Sequence, residues 1–174
     1  IVSNEKEYAH FNNVYSAVKY AKMLSKILRS IEIPEIYISS GEYEVSETIE
    51  IDFDLKIKGN KTSSVLKRSG NLLLVNNLSD GSISTDKPIL LIGKQDATSI
   101  PNIDNGVSVE DIIFNCSITS GEVSNSILIT DGRSNHTFRV SGCKFIGPTG
   151  ISQNSRQEVP ICVQFKNQFG FLFS

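Results

Sequence analysis

The sequence predicts an all-β chain of stacked strands with one helix laid over an end, and three observations predict it. Inward and outward residues alternate with period two over long stretches, as at Ile49, Ile51, Phe53, Leu55 and Ile57. A strand–turn–strand pattern recurs at a shift of 31 residues in the second half. Only one segment, near the start, carries a convincing helical stripe.

The helix comes first in the chain. Val14, Ala17, Val18, Ala21, Leu24, Ile27 and Leu28 recur at three- and four-residue steps and form one apolar stripe over residues 14–28. Asn12 or Asn13 can cap its start, with Phe11 as a hydrophobic staple, and Lys26 and Arg29 complement the dipole at its end. Pro34 forbids continuation. A helix this short cannot stand alone, so its stripe must lie against something else.

After Pro34 the period changes to two. Ile36 and Ile38 alternate with Tyr37 and Ser39, and a turn is expected at Ser40-Gly41-Glu42. The run Ile49 to Ile57 reads as one strand, with Glu50, Asp52, Asp54, Lys56 and Lys58 on its opposite face and a turn at Gly59-Asn60. Apolar runs follow at Leu72–Val75 and Ile89–Ile92. Isoleucine (22) far outnumbers leucine (12), which favours strands over helices.

The repeat lays Val107-Ser-Val109-Glu-Asp-Ile112-Ile-Phe114 over Phe138-Arg-Val140-Ser-Gly-Cys143-Lys-Phe145. A looser third copy is read at Val163-Gln-Phe165 through Phe169-Gly-Phe171. Such units mean a stacked architecture, each burying its apolar face on its neighbours. An antiparallel sandwich would alternate equally well, but its hairpin signals are scarce: only Asp80-Gly81 and Asp131-Gly132 supply the Asp-Gly pair.

Composition bounds the function. The 174 residues suit a single domain, 39% hydrophobic and 21% charged, with a net charge of −2. That balance argues against a nucleic-acid surface, and no apolar run approaches the roughly 18 residues of a membrane span. The opening Ile1-Val2-Ser3-Asn4 has no initiator Met and no signal-peptide pattern, which points to an excised or processed piece. Cys116, Cys143 and Cys162 have neither zinc nor redox spacing and read as small buried hydrophobes, with a disulfide between two of them as the alternative. The sequons at Asn60, Asn77, Asn115 and Asn135 are ordinary for a chain this rich in Asn, Ser and Thr.

The run VYSAVKYAKMLSK…IPEIYISSGEYEVSETIEIDFDLKIKG resembles the start of pectin-lyase-like proteins: a capping helix, a strand, a Ser-Gly-x-Tyr turn, then a full coil ending in Ile-x-Gly. VSVEDIIFNC and FRVSGCKFIG resemble later rungs. The resemblance covers residues 11 to 60 well and 105 to 146 less closely. It implies a right-handed single-stranded parallel β-helix, with residues 1–34 as the N-terminal segment carrying the cap and 35–174 as the helix, incomplete at its C-terminal end. There Phe169, Phe171 and Phe173 form an apolar run with no polar cap, so self-association or further rungs are expected to cover it.

Pectate and alginate lyases, polygalacturonases, epimerases and phage tailspikes share this fold. An Asn-, Ser-, Ile- and Lys-rich chain without a secretion signal leans to the tailspike side: a homotrimeric receptor-binding protein of the virion tail, or a secreted one, recognising bacterial surface polysaccharide without a cofactor. A polysaccharide lyase or glycoside hydrolase is the alternative, although the paired-Asp and His-Gly patterns of polygalacturonases are missing.

The candidate substrate-binding residues are Asp131, Arg133, His136, Arg139 and Lys144. They mix one acid with four basic groups around one expected rung and can grip a hydroxyl-rich or anionic saccharide by charge-assisted hydrogen bonds. The competing reading is a solvated polar loop. No catalytic residue stands out and no metal-ligand spacing exists. Glu50, Asp52 and Asp54 read as a solvated strand face, and Glu110-Asp111 as a turn. There is no Trp to stack sugars; Tyr37 and Tyr43 are the candidates to replace it.

Overall fold

A computed structural model describes residues 1–3, 10–28, 32–69, 88–93, 102–116, 126–129, 137–146 and 163–165. One helix, α1 (Val14–Leu28), precedes twelve strands. These are β1 (Glu35–Tyr37), β2 (Gly41–Val45), β3 (Ile49–Ile51), β4 (Phe53–Lys58), β5 (Ser64–Arg68) and β6 (Leu90–Ile92). The rest are β7 (Asn102–Glu110), β8 (Ile113–Asn115), β9 (Ile127–Ile129), β10 (Thr137–Ser141), β11 (Lys144–Ile146) and β12 (Val163–Phe165). They form three four-stranded sheets, ordered β1-β4-β7-β10, β2-β5-β8-β11 and β3-β6-β9-β12. Consecutive strands thus visit the first, second and third sheet in turn, four times over. Every strand pairing among the described residues is parallel, which excludes the antiparallel sandwich.

The period-two pattern explains the core. Each sheet turns one face inward, and equivalent residues of successive strands stack at about 4.8 Å. In the first sheet Ile36, Ile57, Val109 and Val140 share a register position. In the second, Tyr43, Leu66, Phe114 and Phe145 do, and the Phe114 and Phe145 rings stack at 5.3 Å. In the third, Ile51, Ile92 and Ile129 are fully buried in one row. Tyr43 belongs to this core: its hydroxyl sits 2.9 Å from Ser39 Oγ, so it is no sugar platform.

The 31-residue shift sets the observed register: Phe138 lies on Val107, Val140 on Val109, and Phe145 on Phe114. Three expectations need correction. The run from Ile49 to Ile57 is two strands in two different sheets, broken at Asp52. The alternation survives because a corner residue can point outward as well as any strand residue. Val163–Phe165 pairs with β9 in the third sheet and is no copy of the β7–β8 unit. The first turn falls at residues 38–40, and Gly41 already opens β2. The runs at 72–75 and 169–173, and Cys162, lie outside the described residues. Cys116 is buried, Cys143 is partly buried, and both are free thiols.

The corner between first and second sheet is tight. Asp111 takes φ 57°, uncommon for a side-chain-bearing residue, and Gly142 takes φ 64° at the matching place between β10 and β11. At Gly59, the matching corner between β4 and β5, an added Cβ would stand 2.6 Å from the Asp111 carbonyl oxygen. Ser64 braces that corner, accepting the Asn60 N–H at 2.7 Å and donating to the Ile38 carbonyl at 2.8 Å.

Helix α1 contacts β1, β2 and β3, the terminal strand of each sheet, as well as β4. It therefore closes the end where unpaired strand edges and core would meet water. Asn13 is the N-cap, its Oδ1 accepting the Ser16 N–H at 2.8 Å. Val14, Ala17, Val18 and Ala21 are buried as the stripe predicts, but Ile27 is exposed. Phe11 meets Tyr20, with ring centroids 5.3 Å apart. Val2 adds a bridge on Ile38 that the sequence does not announce.

Candidate functional site: the outer face of the first sheet

Register builds this site. Residues that alternate with the core point outward, and parallel pairing lines them up across the four strands. One row is Glu35, Lys56, Ser108 and Arg139; the next is Tyr37, Lys58, Glu110 and Ser141. A groove of about 370 Å³ runs here, walled by Glu35, Lys56, Lys58, Ser108, Glu110 and Arg139, with Asn105 and Gly106 at one end. That volume lies at the small end of ligand sites. Tyr37 is 39% exposed and offers an aromatic surface beside Lys58.

Glu110 is the most constrained acid of the face. Ser108 Oγ donates to its Oε1 at 2.8 Å, and Arg139 Nε stands 3.5 Å from the same oxygen. Arg139 is two-thirds exposed, so the contact leaves most of its donors free for a ligand. Arg and Lys here present N–H donors, Glu and Ser present acceptors, and the mixture suits the hydroxyl and carboxylate groups of a saccharide. The two acids of the face, Glu35 and Glu110, are two strands and two residues apart, about 12 Å between Cα atoms by strand geometry.

Of the residues the sequence nominates, Arg139 lies on this face. Lys144 does not: it sits on β11 in the second sheet, beyond the Gly142 corner, stacked on Ile113. The expected set is therefore split between two faces. Asp131, Arg133 and His136 lie outside the described residues. Glu35, Lys56, Lys58 and Ser108 were not nominated from the sequence because each alone reads as a solvated strand position; only register unites them.

The acids read as a solvated strand face behave in three ways. Glu50 is exposed. Asp52 is buried under the cap, where Lys22 reaches it. Asp54 holds a bulge at the end of the groove. The register slips between Phe53 and Leu55, so β7 arches out opposite Asp54. Asp54 Oδ1 accepts the backbone N–H groups of Asp104, Asn105 and Gly106, each at 2.9 Å, and Oδ2 accepts Asn105 Nδ2 at 2.8 Å. Partial burial pushes this carboxyl up, but the hydrogen bonds from Gly106, Asn105 and Asp104 outweigh it and hold it below the usual value.

A larger cavity of about 1230 Å³ lies between α1 and residues 32–36, walled largely by apolar groups such as Phe11, Leu24 and Ile36, with fewer convergent polar groups than the groove. Among the described residues no helix is long and apolar enough to cross a membrane, and no group of His, Cys, Asp and Glu could hold a metal ion. No protein-family model matches the chain, nor does any curated protein or solved structure.

Proposed function

We propose that this chain is a segment of a right-handed single-stranded parallel β-helix of the pectin-lyase-like kind, and that it serves in a trimeric phage tailspike or receptor-binding protein of the virion tail. Its ligand in this reading is bacterial surface polysaccharide, held on the outer face of the first sheet. The cyclic order of the three parallel sheets supports the winding, and the right-handed preference of parallel crossovers supports its hand. The observation that carries the ligand assignment is the double row of Glu35, Lys56, Ser108, Arg139 and Tyr37, Lys58, Glu110, Ser141. It spans four strands, about 14 Å, a length that suits a short oligosaccharide.

The alternative is a polysaccharide lyase, favoured by the contact of Glu110 with Arg139: a base for a sugar proton beside a cation to steady the charge. The test is calorimetric titration with capsule and O-antigen polysaccharides, alongside assays for reducing ends and unsaturated sugar. Binding without new ends supports recognition; unsaturated product supports the lyase. Absence of binding to every preparation, by a folded trimeric chain, rejects the ligand assignment.

A further inference from the structure

Asn105 and Gly106 form the chain's only Asn-Gly pair, the dipeptide most prone to self-deamidation because glycine leaves its own N–H unshielded. In that reaction the Gly106 nitrogen bonds to Asn105 Cγ, the Cγ–Nδ2 bond breaks, and ammonia leaves with the proton that Gly106 gave up. Water then opens the cyclic imide to aspartate or isoaspartate. Asn105 is exposed, so water and base can reach it. Both reacting groups are nevertheless held by one carboxylate: the Gly106 N–H on Asp54 Oδ1 and the Asn105 amide on Asp54 Oδ2.

We propose that Asp54 protects the Asn105-Gly106 bond from deamidation, and that this bond is the modification site which ages the groove. The nucleophile forms only when Gly106 loses its proton, and a negative charge 2.9 Å away opposes making a second one. A carboxylate held below its usual range is also a weak base and accepts that hydrogen bond without removing the proton. The amide that must swing toward Gly106 is tied at 2.8 Å. Once formed, an acid at position 105 would face Asp54 across the same donors, and like charges would push the arch apart. Asn105 and Gly106 wall the groove, so the damage falls on its shape.

The experiment incubates the full chain at pH 8 and follows residue 105 by peptide mass and by enzymatic isoaspartate methylation. Wild type, Asp54→Asn and Asp54→Ala are compared, each also in urea, with circular dichroism to report folding. Slow conversion in the folded wild type, several-fold faster conversion in the folded variants, and one common fast rate in urea are expected. Folded variants that convert no faster than wild type, or more slowly because Asp54 acts as the base, overturn the proposal. If neither variant folds, wild-type rates at pH 8 decide: a folded chain as fast as the unfolded one overturns it, and a folded chain several-fold slower upholds it.

Discussion

The Lys22 ammonium lies 2.7 Å from both carboxylate oxygens of Asp52, aligned for a hydrogen bond with Oδ2. The lysine comes from the middle of α1 and the aspartate from the corner between β3 and β4, so one ion pair ties the cap to the stack. Asp52 keeps only 5% of its side chain exposed, whereas Lys22 keeps 35%. Lys22→Ala strands a buried charge and is expected to lower unfolding free energy by about 2 kcal/mol, less than a fully buried pair would lose. Urea denaturation at neutral pH measures it, and an unchanged midpoint would remove the pair from the account.

Val18 is 3% exposed beneath the helix. Val18→Asp places an uncompensated charge against β1–β3 and is expected to cost about 3 kcal/mol or more. Thermal melting reads it directly. A variant that melts with the parent would show that α1 does not stabilise the stack.

Asp54 supplies a pH dependence whose sign is fixed. Its carboxyl is held lower in the fold than the 3.8 of an unperturbed aspartate. The stability this contributes is therefore present above the unfolded value and is lost as pH falls through the folded one. Melting temperature is expected to fall more steeply below about pH 4 in wild type than in Asp54→Asn. Parallel acid limbs in the two chains would contradict the assignment.

On the groove, Arg139→Ala and Lys58→Ala are each expected to weaken polysaccharide binding about tenfold, the worth of one charge-assisted bond. Lys144→Ala, on another face, is expected to change binding little. Titration calorimetry of the three variants separates a site built by register from one built by the 133–144 sequence neighbourhood.

Gly142 tests the corner. A Cβ there would run into the Asp111 carboxylate, and φ 64° is unfavourable for alanine in any case. Gly142→Ala is expected to cost about 1–2 kcal/mol, measured by chemical denaturation.

How much of this could be read in advance follows a physical line. Alternation shows which residues face the core, and the shift of 31 gives the pairing of Val107 with Phe138. The helix was equally plain, while its cap was narrowed only to Asn12 or Asn13 until the Ser16 N–H settled it on Asn13. What escaped depends on partners far along the chain. Asp52 looks like its neighbours Glu50 and Asp54 until Lys22 arrives from thirty residues away. Alternation cannot tell a bend from a straight strand, so β3 and β4 merged. Arg139 was nominated because it stands in a dense polar cluster; Lys56 and Lys58 were passed over because a cation opposite an apolar face is commonplace.

The lengths of the connections carry a consequence for how such a chain can change. Between first and second sheet, the later two crossings use only residues 111–112 and 142–143. Between second and third, the chain inserts residues 69–89, 116–126 and 147–162. Closing a longer loop costs little more than closing a short one, whereas lengthening a two-residue corner would throw every later strand out of phase. Insertions and deletions, natural or engineered, should therefore be tolerated in the long later connections and excluded from the two-residue corners at 111–112 and 142–143. Such a chain could lengthen the 116–126 and 147–162 stretches and still keep the rows of side chains that parallel pairing lines up across the first sheet.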